Sequence, residues 1–304
     1  MRRDAAAVAL FAAFTAFCGV WSLPPLDRDE ARFAQASAQM LETGDFVTIR
    51  FQDAERNKKP AGIHWLQAGA AAATGGADAR AIWRYRLPSA IAGVAAALFV
   101  YAVGRRLYGA ETARLAALLF AAAPVVAAET AIAKTDAALI ACVCAAQWAL
   151  ITLYADGRAG LSAAASGWVR PLTLWGALAA GVLIKGPVAP LIVGAAAATL
   201  VLNDRLRGGV GAAWLRRTRP IAGAALFAAL VAPWAVAVGL ATEGRFFIEA
   251  LGGDLLNKVG AAQESHPGPP GYHAALTAIL FWPAAALIAS ALQQAATTRR
   301  SWRT

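Results

Sequence analysis

Charge is scarce in this chain. Asp, Glu, Lys and Arg make up 15% of its 304 residues, where a soluble domain averages about 25%. Acids are the scarcest, 18 against 28 basic residues, for a net charge of +10. Cysteine is nearly missing. Cys18, Cys142 and Cys144 all lie inside apolar runs, so neither a disulfide framework nor a Cys-based metal site follows, and they read as small core residues. No Gly-rich phosphate loop stands between a strand and a helix, which removes the common nucleotide-binding reading. The long apolar runs do not alternate with polar residues, so a membrane-spanning barrel is excluded and helices are expected.

What is abundant is apolar surface: 59% of residues are hydrophobic and the mean hydropathy is +0.52. It collects in stretches near the roughly 20 residues that a helix needs to cross a bilayer. Eight spans are expected, at about 5–22, 87–103, 112–128, 137–154, 168–185, 187–203, 220–240 and 272–292. The chain opens Met1-Arg2-Arg3 before an apolar run to Trp21, and no small-residue cleavage pattern precedes Leu23-Pro24-Pro25. An uncleaved first span is therefore expected.

The stretch 168–203 decides the parity of the topology. As one helix it would be about 54 Å long, too long for a hydrocarbon core of about 30 Å. Lys185-Gly186-Pro187 breaks it, so two spans joined by a tight turn are expected. With the N-terminus inside, the inner segments carry 15 basic and 4 acidic residues and the outer ones 13 and 14. The inner acids are Asp4, Glu111, Asp156 and Asp204. That asymmetry is the positive-inside signature, and it explains the basic excess better than a nucleic-acid partner does. Both termini are then cytoplasmic, and the long outer loops are 23–86 and 241–271, with a short one at 129–136.

The outer loops hold most of the acids. In the first, Asp27 is placed to N-cap a helix, Glu30 to complete a capping box, and Asp29 to sit in its first turn. Gly44 is a stop signal. An acidic helix start and a catalytic carboxylate are both open readings of Asp29 and Glu30. Glu55-Arg56-Asn57-Lys58-Lys59-Pro60 precedes an amphipathic piece from Ala61 to Ala73, read as a juxtamembrane helix lying at the interface. Basic residues at headgroup level attract phosphate, with snorkelling as the bland alternative. Trp65, Trp83, Trp234 and Trp282 suit interface positions. Glu129, Lys134 and Asp136 in the short loop and Lys185 at the hairpin turn are costly so near a bilayer, and lean functional. His266 and His273 flank a Pro/Gly turn with no metal-ligand spacing behind them.

Acids and cations gathered on one membrane face fit group transfer from a lipid-borne donor, since nucleotide sugars are not available outside the cytoplasm. Lys or Arg would hold a polyprenyl phosphate leaving group, and a carboxylate would take or orient the acceptor proton.

Six short motifs occur in order: Arg28-Asp29-Glu30-Ala31-Arg32-Phe33-Ala34, Asn57-Lys58-Lys59-Pro60, Arg86-Leu87-Pro88-Ser89-Ala90-Ile91-Ala92-Gly93, Thr135-Asp136-Ala137, Ile184-Lys185-Gly186-Pro187 and Gly268-Pro269-Pro270-Gly271-Tyr272. Together they resemble the GT-C fold glycosyltransferases of the aminoarabinose lipid A transferase and dolichyl-phosphate-mannose protein mannosyltransferase superfamily. The resemblance implies an all-α integral membrane protein, 1–304 forming one multispanning GT-C-like bundle in a bacterial inner membrane with its active face periplasmic. It implies sugar transfer from a polyprenyl-phosphate donor to a lipid A, glycolipid or protein acceptor, with membrane lipids as partners and no nucleic acid.

By the same resemblance Asp29 is the catalytic carboxylate, accompanied by Glu30 and Asp136. Lys59 binds the donor phosphate, assisted by Arg28, Arg245 and Lys58. Lys134, Lys185, His266 and Tyr272 are candidates for an acceptor site. No cofactor is called for, and a divalent metal has no residue support. Lys58 stands where aminoarabinose transferases often carry an acid, and His266 alone does not supply a metal site of their kind. Family members run longer, so the C-terminal part of the family is expected to be missing. The competing readings are a transporter or flippase of a lipid-linked sugar, favoured only by the break at Lys185, and an inactive truncated relative.

Overall fold

The computed structural model describes residues 2–75, 80–161, 167–250 and 271–301. Helices dominate. α1 is Arg2–Phe17, α2 Arg28–Thr43, α3 Gly62–Thr74, α4 Trp83–Tyr108, α5 Ala110–Ala122 and α6 Pro124–Thr130. α7 is Asp136–Arg158, α8 Val169–Lys185, α9 Val188–Arg207, α10 Pro220–Ala241 and α11 Arg245–Phe247. α12 (Tyr272–Leu280) and α13 (Ile288–Ser301) follow. The all-helical expectation needs one amendment: β1 (Arg50–Phe51) and β2 (Ala54–Glu55) form a small antiparallel hairpin with Arg50 opposite Glu55. Gln52, at its turn, sits in the left-handed region at φ 58°.

α4, α7, α9 and α10 are long and apolar enough to cross a membrane, or six spans if two bent pairs are counted. One pair is α5 with α6, bent by 63°, where Pro124 opens a new helix instead of continuing the old one. The other lies at 274–294, bent by 117°, so the eighth expected span is not one straight helix. α1 and α8, with 16 and 17 residues, are shorter than the spans expected there. The break at 185–187 is as expected: α8 ends at Lys185, Gly186 takes φ 65°, and α9 starts after Pro187.

α4 is the hub, packed against α1, α5 and α7, while α7 packs on α8 and α8 on α10. Small residues let these helices approach closely. Ala97, Ala113 and Ala117 are fully buried between α1, α4 and α5. Ion pairs gather the helix ends into two sets. At one end Asp156 lies between Arg106, at 3.4 Å, and Arg170. At the same end Arg158 binds the buried Asp204 at 3.2 Å, and Arg114 binds Asp4 at 3.3 Å. These are residues that the charge count assigns to the inner face. α2, the hairpin and α3 gather at the other end.

α2 begins where Asp27, extended at φ −148°, accepts a hydrogen bond from the Asp29 N–H. It stops where Gly44 turns left-handed at φ 71° and returns its N–H to the Met40 carbonyl. α3 lies against α2, α4 and α8. Gly62 at its start has no room for a side chain: a Cβ there would stand 2.6 Å from the Leu183 carbonyl oxygen. Buried Ser37 joins α2 to α3, its hydroxyl 2.8 Å from His64 Nδ1 and 2.7 Å from Gln67 Oε1. Trp65 and Trp234 do more than line an interface. Their ring N–H groups donate to the carbonyls of Phe46 (2.8 Å) and Val47 (3.1 Å), pinning the loop that leads into the hairpin.

Candidate active site

The first turn of α2 aims Asp29 outward and Glu30 inward. Asp29 is partly exposed, its carboxylate 3.5 Å from Arg32 and 3.9 Å from Arg56. Both arginines line a cleft of about 250 Å³ with Phe51, Glu55, Asn57, Lys58 and Glu249. The hairpin forms one wall because Gln39 of α2 grips its turn from both sides, donating to the Gln52 carbonyl (2.7 Å) and accepting from the Gln52 N–H (3.0 Å). Arg56 is steadied over the Phe33 ring, 5.3 Å from its centroid. Glu55 accepts from Arg245 at 3.2 Å and from Asn57 at 3.1 Å, which brings the start of α11 to the cleft. Lys58 is exposed, Lys59 half-buried and Arg28 exposed.

Glu30 departs from the capping-box expectation. Its carboxylate does not return to the Asp27 N–H. It is fully buried and ion-paired with equally buried Arg86 at 2.6 Å, and accepts from the Leu26 and Ala133 N–H groups. Burial pushes its carboxyl up, but these bonds outweigh that and hold it below the ordinary carboxylate range. With its oxygens occupied, Glu30 does not face the cleft.

The 129–136 turn supplies the second group of charges. Lys134 Nζ stands 2.5 Å from Asp27 Oδ2. Burial works against the Lys134 ammonium, yet the Asp27 bond and the charges of Asp27, Glu129 and Asp29 raise its pKa overall. Asp27 is correspondingly held low, first by Lys134 and then by the Asp29 N–H. Asp136, opening α7, is ion-paired with Lys185 at the close of α8. Each charge suits its helix end: a carboxylate at an N-terminus, an ammonium at a C-terminus. Glu129 feels Asp136, Lys134, Lys185 and Asp27 together.

So Asp29 stands beside a cleft that Lys58 lines and that Arg245 reaches through Glu55, and Glu129 is the group that senses Lys134, Asp27 and the Asp136–Lys185 pair together. Tyr272 opens α12, which packs on α6. His266 lies outside the described residues. Among the described residues no three His, Cys, Asp or Glu side chains are placed to hold a metal ion. The sequence assigns no role to Arg86, Arg32 or Glu55, and to Arg56 only the general attraction of a basic stretch for phosphate. The three arginines carried a visible signal, cations standing on the face where the positive-inside bias disfavours them.

Residues 58–236 match the family described as dolichyl-phosphate-mannose-protein mannosyltransferase. The undecaprenyl phosphate-alpha-4-amino-4-deoxy-L-arabinose arabinosyl transferase of Pseudomonas paraeruginosa is 30% identical over 291 residues, 91% of this chain and 49% of the relative. That of Pseudomonas aeruginosa is 29% identical over 296 residues, 93% of this chain and 50% of the relative. The chain spans about half the length of these curated relatives. The crystal structure of ArnT from Cupriavidus metallidurans in the apo state superposes with a TM-score of 0.74 at 22% identity, over 93% of this chain and 48% of that one. The same protein bound to undecaprenyl phosphate gives 0.74 over 94% and 49%. The fold is therefore shared with that protein.

Proposed function

Because this chain belongs to the dolichyl-phosphate-mannose-protein mannosyltransferase family, we propose that it transfers a sugar from a polyprenyl-phosphate donor to a hydroxyl of a lipid or protein acceptor. The observation that carries this reading is the Asp29 carboxylate, beside two arginines that line a cleft together with Lys58. The acceptor oxygen attacks the anomeric carbon of the sugar. The bond from that carbon to the phosphate oxygen breaks, and polyprenyl phosphate leaves. Asp29 takes the acceptor proton. Arg56, Lys58 and Lys59, with Arg245 at the rim, stabilise the charge that develops on the phosphate. Asp136 is paired with Lys185, and Lys134, Lys185 and Tyr272 are candidates for the acceptor side. That relatives are named as undecaprenyl-phosphate aminoarabinose transferases, and that ArnT binds undecaprenyl phosphate, supports this donor class.

The site would face the periplasm from the inner membrane of a bacterium, with both termini in the cytoplasm. The charge asymmetry supports that orientation, as do the ion pairs that collect Asp4, Asp156 and Asp204 at the opposite end. The decisive experiment compares parent and Asp29→Asn in proteoliposomes supplied with a polyprenyl-phosphate sugar and a lipid acceptor. Asp29→Asn should insert normally and lose transfer. Parental activity in that variant would remove Asp29 from the reaction.

A further inference from the structure

Arg86 and Glu30 stand beside the cleft without opening onto it, and both are fully buried. Every N–H of the Arg86 guanidinium has a partner. Nε donates to Glu30 Oε1 at 2.6 Å. Nη1 donates to the carbonyls of Val20 (3.0 Å) and Leu23 (2.8 Å). Nη2 donates to the Pro24 carbonyl (2.8 Å) and to Glu30 Oε2 (3.0 Å). Glu30 in turn accepts from the N–H groups of Leu26 (2.9 Å) and Ala133 (3.0 Å). One ion pair thus joins four pieces of chain: the turns after α1, the start of α2, α4 and the turn before α7.

Stability alone is a weak reason for such a pair, since desolvating two charges offsets most of their attraction. What a five-donor planar fork supplies is direction. The backbone from 18 to 27 is irregular, and three of its carbonyls find their donors here. Asp29 by contrast is held only loosely by its own side chain, at 3.5 and 3.9 Å. Its location is set through its backbone, held by the Asp27 cap on one side and by buried Glu30 on the other.

We infer that Arg86 is a positioning residue: acting through Glu30, it fixes the start of α2 against the 131–135 turn and so sets where Asp29 stands relative to the cleft and to Lys134. This rests on the transferase reading above. It also moves Glu30 out of the reacting group, since its carboxylate serves the clamp and touches no substrate.

Arg86→Lys tests it, because lysine keeps the charge and loses the fork. In proteoliposomes with a polyprenyl-phosphate sugar, kcat per folded molecule should fall about 100-fold, the effect typical of a misplaced catalytic group, while the donor KM stays within about threefold. In a background with Cys18, Cys142 and Cys144 replaced by alanine, nitroxides at Arg28 and Asp53 should give one narrow distance distribution in the parent and a broadened one in Arg86→Lys. Asp29→Asn should lose transfer and keep the narrow distribution. A merely structural Arg86 would lower the unfolding midpoint and leave kcat per folded molecule at the parental value, which overturns the inference. An unchanged distance distribution overturns it equally. If Arg86→Lys fails to insert, Glu30→Gln is read by the same two measurements. If the parent itself transfers no sugar, the transferase reading fails and the nitroxide distances alone decide the clamp.

Discussion

Lys134 Nζ lies 2.5 Å from Asp27 Oδ2, and the same carboxylate caps α2 through its other oxygen. One acid therefore serves a helix start and a turn more than 100 residues away. Lys134→Met should cost about 0.5–1 kcal/mol, the range for partly exposed pairs. Asp27→Ala loses the cap as well and should cost about 1–2 kcal/mol. Thermal unfolding of the two variants checks this, and equal losses would sink the double role. Because the Asp27 carboxyl is held below its ordinary value, its contribution is complete above pH 3.8 and is lost as pH falls through the depressed value.

The cleft makes a prediction about binding. Lys58→Ala and Lys59→Ala should each raise the donor KM about tenfold, since a charge-assisted phosphate contact is worth about 1.4 kcal/mol or more. Neither should lower kcat to the extent that Asp29→Asn does. Steady-state kinetics at two ionic strengths would check both points, with the parental KM rising more steeply with salt than that of the variants.

His64 gives a pH dependence of stability. It is buried beside Ser37, with its ring stacked on Phe33 at 5.3 Å. Burial first, and the Arg56 charge second, push its pKa down to about 3. The unfolded chain binds the His64 proton near pH 6.5 and the folded one does not until about 3. Stability should therefore fall as pH drops through this window, by up to roughly 1.4 kcal/mol per pH unit. His64→Asn should flatten the slope of an acid titration followed by thermal unfolding. An unchanged slope would assign it to other groups.

Gly62 predicts a packing loss. Gly62→Val must displace the Leu183 backbone or tilt α3, costing about 1–3 kcal/mol. The same substitution at Gly69, where a Cβ meets nothing within 4 Å, should be far milder. Comparing the unfolding midpoints of the two variants isolates the α3–α8 contact.

The legible parts of this protein were those written in short-range patterns. Asp27 and Gly44 bracket α2 as capping rules require, and Lys185-Gly186-Pro187 ends α8. Charge counting grouped Asp4, Asp156 and Asp204 on one face, and each has found an arginine of the same set. Glu30 was misjudged because local spacing favoured a capping box, whereas its actual partner, Arg86, is 56 residues away. The bends at Pro124 and in 274–294 escaped because hydropathy reports how apolar a stretch is and not how straight. The hairpin escaped because two residues per strand leave no periodicity to read. It persists through Gln39, a contact that neither strand announces.

That contact has a consequence for which changes the chain can tolerate over time. Gln39 acts through its side-chain amide, which mimics a peptide group and bonds the Gln52 backbone in both directions. Position 52 offers only main chain, so asparagine, aspartate or glycine, residues at ease with a positive φ, can replace it freely. Position 39 has no such latitude. Glutamate lacks the donor, asparagine is one methylene short, and no other residue carries both groups on a flexible stem of that reach. Drift should therefore be fast at the tip of the hairpin and slow thirteen residues earlier, on a half-exposed helix face that would otherwise look free to vary.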